Sequence, residues 1–111
     1  MDNEVKKLLK DVLIALENIE LYIGEKKLYS EYENNFLLQD AVERNLITIG
    51  EAINLLLKRE SAIAISNARR IVDTRNRLTH GYDDIDCSQV WNIIINHLPT
   101  LRNEVQELLG E

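Results

Sequence analysis

Apolar residues return every three or four positions along most of this chain, the spacing of helices that bury one face. In the first segment Val5, Leu8, Leu9, Val12, Leu16, Ile19 and Ile23 form one stripe, with Asp2 as N-cap and Gly24, followed by Glu25-Lys26-Lys27, as the stop. Ser30-Glu31-Tyr32-Glu33 has the form of a capping box and predicts a second helix from there, a start near Asn34 or Asn35 being the alternative. Its inward stripe is Leu38, Ala41, Val42, Leu46, Ile49, Ala52, Ile53 and Leu56. Ser61 to Ile65 reads as a connection, and Ser66 as the cap of a third helix beginning at Asn67. Ala68, Ile71, Val72 and Leu78 face inward there, and the helix ends around His80-Gly81. After a loop at Asp83-Asp84-Ile85-Asp86, Asp86 or Ser88 caps a last helix whose stripe is Val90, Trp91, Ile94, Ile95, Leu98, Leu101, Val105 and Leu108. The period runs on through Pro99, which predicts one helix kinked near the proline. No repeat, low-complexity stretch or linker interrupts the pattern. Residues 1–111 are therefore expected to form a single all-α domain, an up-and-down bundle of four to five helices.

Two features of the second long helix do not fit a simple amphipathic element. Asp40, Arg44 and Glu51 line up opposite the core stripe, but Leu37, Ile47 and Leu55 fall near them. A face mixing charge with large aliphatics either meets a partner helix or a second subunit, or carries scattered surface leucines. Gly50 stands mid-helix at a cost of about 1 kcal/mol relative to alanine. Close approach of another backbone would account for it.

Composition narrows the class. Four glycines and one proline suit long uninterrupted elements, and no apolar run approaches the ~20 residues of a membrane span. The first residues, Met1-Asp2-Asn3-Glu4-Val5-Lys6-Lys7, lack the apolar stretch of a secretory signal. Cys87 is the single cysteine, so no disulfide forms within the chain, and a cytoplasmic location with no membrane association is expected. Two histidines and one cysteine without ligand spacing suggest no metal site, and no cofactor is implied.

A formal charge of −6 argues against nucleic acid until its distribution is read. From Lys58 to His80 there are six basic residues (Lys58, Arg59, Arg69, Arg70, Arg75 and Arg77) against Glu60 and Asp73, a local +4. The remaining seven basic and seventeen acidic residues make the rest −10. One basic island sits in an acidic chain. It is either a phosphate-binding segment or a solvated helix face.

Arg75 and His80 close that island. On a continuous helix they diverge by about 140°, but a helix ending at Thr79-His80 lets the histidine turn back. Imidazole is the usual group for proton transfer near neutral pH, and guanidinium offers a planar fork matched to phosphate oxygens. Together they suffice to cleave RNA by attack of its own 2′-hydroxyl, His80 moving a proton and Arg75 stabilising charge at phosphorus. An Arg and a His five apart also occur as plain helix-end residues, and the chemistry alone does not choose between the two.

The octapeptide Arg75-Asn76-Arg77-Leu78-Thr79-His80-Gly81-Tyr82 resembles the Arg-x4-His-x-Tyr signature of the HepT-like branch of the HEPN superfamily. Ala41-Val42-Glu43-Arg44-Asn45-Leu46-Ile47-Thr48-Ile49-Gly50-Glu51-Ala52 resembles the family's second-helix motif. Val90-Trp91-Asn92-Ile93-Ile94 with Leu98-Pro99-Thr100-Leu101 resembles its last helix. One departure is the segment Ala62-Ile63-Ala64-Ile65-Ser66, where many relatives have a Pro and a Trp. The resemblance implies a HEPN-like bundle and a metal-independent endoribonuclease toxin. It implies a homodimer in which two Arg-His motifs share a cleft, and RNA as substrate. It also implies an MntA-like nucleotidyltransferase antitoxin that transfers AMP to the motif tyrosine, here Tyr82. Arg75 and His80 are then the catalytic pair, with Asn76, Glu51 and Asp40 as supporting candidates and Arg70 and Arg77 as candidates for RNA contact, a solvent-facing Arg77 being the alternative. The competing reading is a non-catalytic helical dimer that serves a nucleotidyltransferase as subunit or nucleotide-binding partner.

Overall fold

The computed structural model describes residues 2–80 and 85–111. Every regular element in it is helical: α1 (Asn3–Ile23), α2 (Tyr29–Glu33), α3 (Phe36–Arg59), α4 (Ala68–Thr79), α5 (Cys87–Asn92), a π-helical turn (Ile93–His97) and α6 (Leu98–Leu109). The all-α bundle is as the pattern predicts. None of these helices is long and apolar enough to cross a membrane.

The ends of α1 follow local chemistry. Asp2 Oδ1 accepts from the Val5 N–H at 2.8 Å, and Gly24, at φ 80°, donates its N–H to the Glu20 carbonyl. Two contacts fix α1 antiparallel to α3: Asn18 donates to Asn45 at 3.2 Å mid-helix, and Arg59 at the end of α3 reaches Asp2 at 4.0 Å. Along this pair Leu9, Val12, Leu16 and Ile19 join Val42, Ile49, Ile53 and Leu56 in a single buried cluster, which Leu101 and Val105 of α6 complete. Most of the predicted stripe residues are buried, with Ile23, Leu38, Ala41, Ile71, Leu78, Trp91, Ile95 and Leu108 at the margin.

The capping-box segment makes only the five-residue α2, and the long helix takes the alternative start. Asn35 accepts from the Leu38 N–H at 3.0 Å as N-cap of α3, while Asn34 donates to the Ser30 carbonyl at 2.7 Å and closes α2. Gln39 then donates to the carbonyls of Tyr32 and Glu33, tying the two helices together. Tyr32 is thereby drawn into the core, 1% exposed, with its ring 5.6 Å from that of Trp91.

The start of α4 differs from the sequence reading. Its N-cap is Asn67, in the left-handed region at φ 59°, and it makes no side-chain capping bond. Ser66 does not cap the helix but donates its backbone N–H and its hydroxyl to the Glu104 carboxylate, at 3.0 and 2.7 Å. The left-handed residue turns the chain so that the serine meets α6 and bonds to the Glu104 carboxylate there.

The last helix opens with the capping box of Asp86 and Gln89. The irregularity expected at Pro99 lies just before it, as the π turn, where the Leu98 N–H bonds to the Ile93 carbonyl five residues back. A proline ring crowds the carbonyl four residues earlier, and a wider turn ahead of it relieves that clash. α6 then returns along α1, with Arg102 paired to Glu20.

Candidate functional site

α4 packs along α3, and at Gly50 the two helices come too close for a side chain. A Cβ built there would stand 2.2 Å from Arg75 Cβ, 2.8 Å from Arg75 Cγ and 3.3 Å from the Ile71 carbonyl oxygen. No side chain fits between the helices, which explains the mid-helix glycine. The stem of Arg75 lies across the gap and the residue is half-buried. Its Nε is buried with no hydrogen-bond partner among the described residues. An unpaired buried N–H on a cation is costly to maintain, and such groups concentrate where a ligand or a second subunit supplies the acceptor.

The C-terminal turn of α4 is drawn tight by Thr79, whose hydroxyl donates to the carbonyls of Arg75 and Asn76 at 3.0 and 3.2 Å. The His80 N–H bonds to the Asn76 carbonyl at 3.1 Å, and His80 is the C-cap at φ −89°, ψ 4°. The backbone thus leaves the helix at His80, as expected, and the imidazole-bearing residue is exposed. Its conformation is in the bridge region, where many active-site residues sit. Asn76 is half-buried on the same turn. Tyr82, the candidate for modification, lies outside the described residues.

The supporting carboxylates divide. Glu51 directly follows Gly50 on α3 and is exposed, whereas Asp40 lies about 15 Å further back along the same helix. Neither makes an ion pair or hydrogen bond with Arg75 among the described residues. Asp40 belongs to the mixed face of α3, where Leu37 and Leu55 are 81% and 47% exposed beside Arg44 and Glu51. Ile47 is half-buried.

One turn from Asp40, Glu43 sits half-buried near Tyr32. Burial, reinforced by the Asp40 charge, holds its carboxyl above the ordinary glutamate range. Burial likewise pushes the Tyr32 phenol up, with Glu43 adding to it. Among the described residues no three His, Cys, Asp or Glu side chains gather as a metal site would require.

Arg70 and Arg77 lie on a different flank of α4 from the turn that meets Gly50. They border a groove of about 710 Å³ between α4 and the last helix. Its other wall carries Asn92 and Asn96, and its floor is aliphatic. Sequence reasoning missed these two asparagines. Their signal is a polar row at 88, 89, 92, 96 and 100 running beside the core stripe, which a search for charged residues passes over.

Comparison with known proteins places the chain in a family. A family model described as ribonuclease HepT-like matches residues 12–108. The chain is 30% identical over 112 residues to "Gamma-glutamylcyclotransferase and putative RNase MJ0434" of Methanocaldococcus jannaschii, covering all of this chain but 50% of that protein. It is 28% identical over 110 residues to "Putative RNase MJ1216" of the same organism, covering 97% of this chain and 89% of that one. To "Putative RNase MJ1380" it is 30% identical over 105 residues, 93% and 94% of the two chains. The chain thus spans half the length of the first of these relatives and about nine-tenths of the others. No solved structure matches it. With the family model covering most of the chain, the protein belongs to the HepT-like ribonuclease family.

Proposed function

We propose that this chain is a metal-independent endoribonuclease, the toxin of a two-component toxin–antitoxin module. The observation that carries the reading is Arg75, a permanent cation fixed against Gly50 with a buried Nε that has no partner among the described residues, five positions before the histidine at which α4 ends. Family membership and relatives named as RNases support the same chemistry.

In the proposed reaction the ribose 2′-oxygen attacks the adjacent phosphorus and the bond from phosphorus to the 5′-oxygen breaks. The products are a 2′,3′-cyclic phosphate and a 5′-hydroxyl. His80 moves the proton and Arg75 stabilises the charge that builds on the phosphoryl oxygens. Asn76 and Glu51 are the nearest supporting groups by position, while Arg70 and Arg77 bind the strand. The working unit is a homodimer, its seam drawing on the mixed face of α3. An MntA-like nucleotidyltransferase silences it by moving AMP to Tyr82, which places negative charge beside a site built for phosphate.

The test is incubation of the purified protein with RNA in EDTA. Cleavage with cyclic phosphate ends is expected, with loss of activity in His80→Ala. Cleavage by His80→Ala at the rate of the unaltered protein would reject the assignment and favour a non-catalytic partner role.

A further inference from the structure

The groove between α4 and the last helix has no role in the chemistry at Arg75, yet it is built with unlike walls. On α4, Arg70 and Arg77 stand seven residues apart on one face, the spacing of two helical turns. Across from them the Asn96 amide donates to Asn92 Oδ1 at 2.6 Å, and both side chains are exposed on the groove. Between the walls lie Ile71, Ile93 and Leu98.

The asparagine pair is specific in what it offers. Its mutual bond uses one donor and one acceptor. The two groups left wholly unused are the amide NH2 of Asn92 and the carbonyl oxygen of Asn96, a donor beside an acceptor. Reversing both amides leaves the same pair in the opposite order, so the complementarity does not depend on how they are oriented. Adjacent donor and acceptor atoms are what the edge of an unpaired nucleobase presents, and an aliphatic floor suits the face of its ring. The pair is held out by the π turn: Asn92 precedes it and Asn96 lies within it. π turns inside α-helices are frequently found at functional sites. The groove also carries two carboxylates, Asp73 and Glu104. Glu104 is bonded to Ser66, which leaves Asp73 on the arginine wall itself, one turn from Arg70 and one from Arg77.

Resting on the ribonuclease reading, we propose that this groove holds an unpaired base of the RNA strand, its edge on Asn92 and Asn96 and its flanking phosphates on Arg70 and Arg77. The enzyme is then selective for single-stranded substrate, and this selectivity is set on a flank of α4 separate from Arg75. A second copy of the chain is the competing occupant. The polar walls disfavour it, because a protein interface would have to desolvate two arginines and two amides around a narrow apolar floor.

The experiment uses full-length His80→Ala protein and measures binding of a short single-stranded RNA, the same strand lacking its bases, and a duplex, at one fixed salt concentration. The base-bearing strand is expected to bind about tenfold more tightly than the abasic strand or the duplex. Adding Asn92→Ala and Asn96→Ala should erase most of that difference and leave abasic binding unchanged. Arg70→Ala should weaken both strands. Equal affinity for base-bearing and abasic strands, or an equal loss for both in the asparagine variant, would overturn the proposal. So would dissociation of a dimer by the asparagine changes in sedimentation, which would make the groove an interface between copies. If unaltered protein cleaves RNA while the asparagine variant binds and cleaves identically, only the groove assignment falls. If no RNA is bound or cleaved at all, the ribonuclease reading falls with it.

Discussion

Gly50 and Arg75 fill a single volume between two helices: the hydrogen at position 50 is all that the Cβ and Cγ of the arginine leave room for. The structural glycine and the candidate catalytic cation are therefore one feature, and a change at either is felt at the other.

Gly50→Ala tests this directly. In an open helix the substitution would stabilise by about 1 kcal/mol. Here it forces α4 away from α3, and overpacking of this kind costs about 1–3 kcal/mol. The expected result in denaturant unfolding is a net loss of up to about 2 kcal/mol, with RNA cleavage falling further than stability explains. A variant more stable than the unaltered protein would mean that α4 does not sit where described.

Arg75→Lys separates charge from shape. Lysine keeps the positive charge and much of the stem over Gly50, but it lacks the planar fork and the Nε position. Cleavage should drop by roughly a hundredfold or more while the melting temperature moves little. Restoration of full activity by lysine would show that a point charge suffices.

The mixed face of α3 makes a prediction about assembly. Leu37 and Leu55 are exposed on it, so Leu37→Glu and Leu55→Glu leave the monomer fold intact and act only on a partner surface. Sedimentation should report a dimer for the unaltered protein and a monomer for the double variant, with cleavage lost. A double variant that remains dimeric would place the seam elsewhere.

Glu43 gives a pH dependence whose sign is fixed. Its folded-state carboxyl is held above the ordinary range by burial and then by Asp40, so folding favours the protonated form. Stability from this group is complete below the unfolded glutamate range and is lost as pH rises through the folded value. Glu43→Gln should therefore raise the melting temperature at neutral pH, by roughly one to two degrees given the solvent exposure of the site. The gain should vanish in acid, and a gain that persists below pH 4 or so would point to packing as its source.

Much of this was legible because helices are local. The stripes through Val5 to Ile19, Leu46 to Leu56 and Leu98 to Val105 name the core directly, and Asp2, Gly24 and Asp86 cap as their chemistry dictates. Ser66 was misread because its competing acceptor, Glu104, is 38 residues away and invisible to any local rule. Tyr32 was not placed in the core because it lies in a short helix without a period of its own. At the site, the need for a close neighbour at Gly50 was readable, but not that Arg75 would be that neighbour. The Asn92–Asn96 pair was hidden for a different reason: its meaning depends on the opposite wall, which another helix provides.

The π turn at Ile93–His97 also bears on how this helix tolerates changes in length. A π turn holds one residue more than the α turn it replaces, so the helix has a surplus residue at that point and nowhere else. Removing one residue there would leave the phase of Leu98, Leu101 and Val105 on the core largely unchanged, whereas the same deletion in α6 would rotate all that follows by about 100°. The shortened helix would instead set Pro99 in a regular interior, where it must bend. The turn therefore marks the one place in the last helix where chain length can vary without the core losing register.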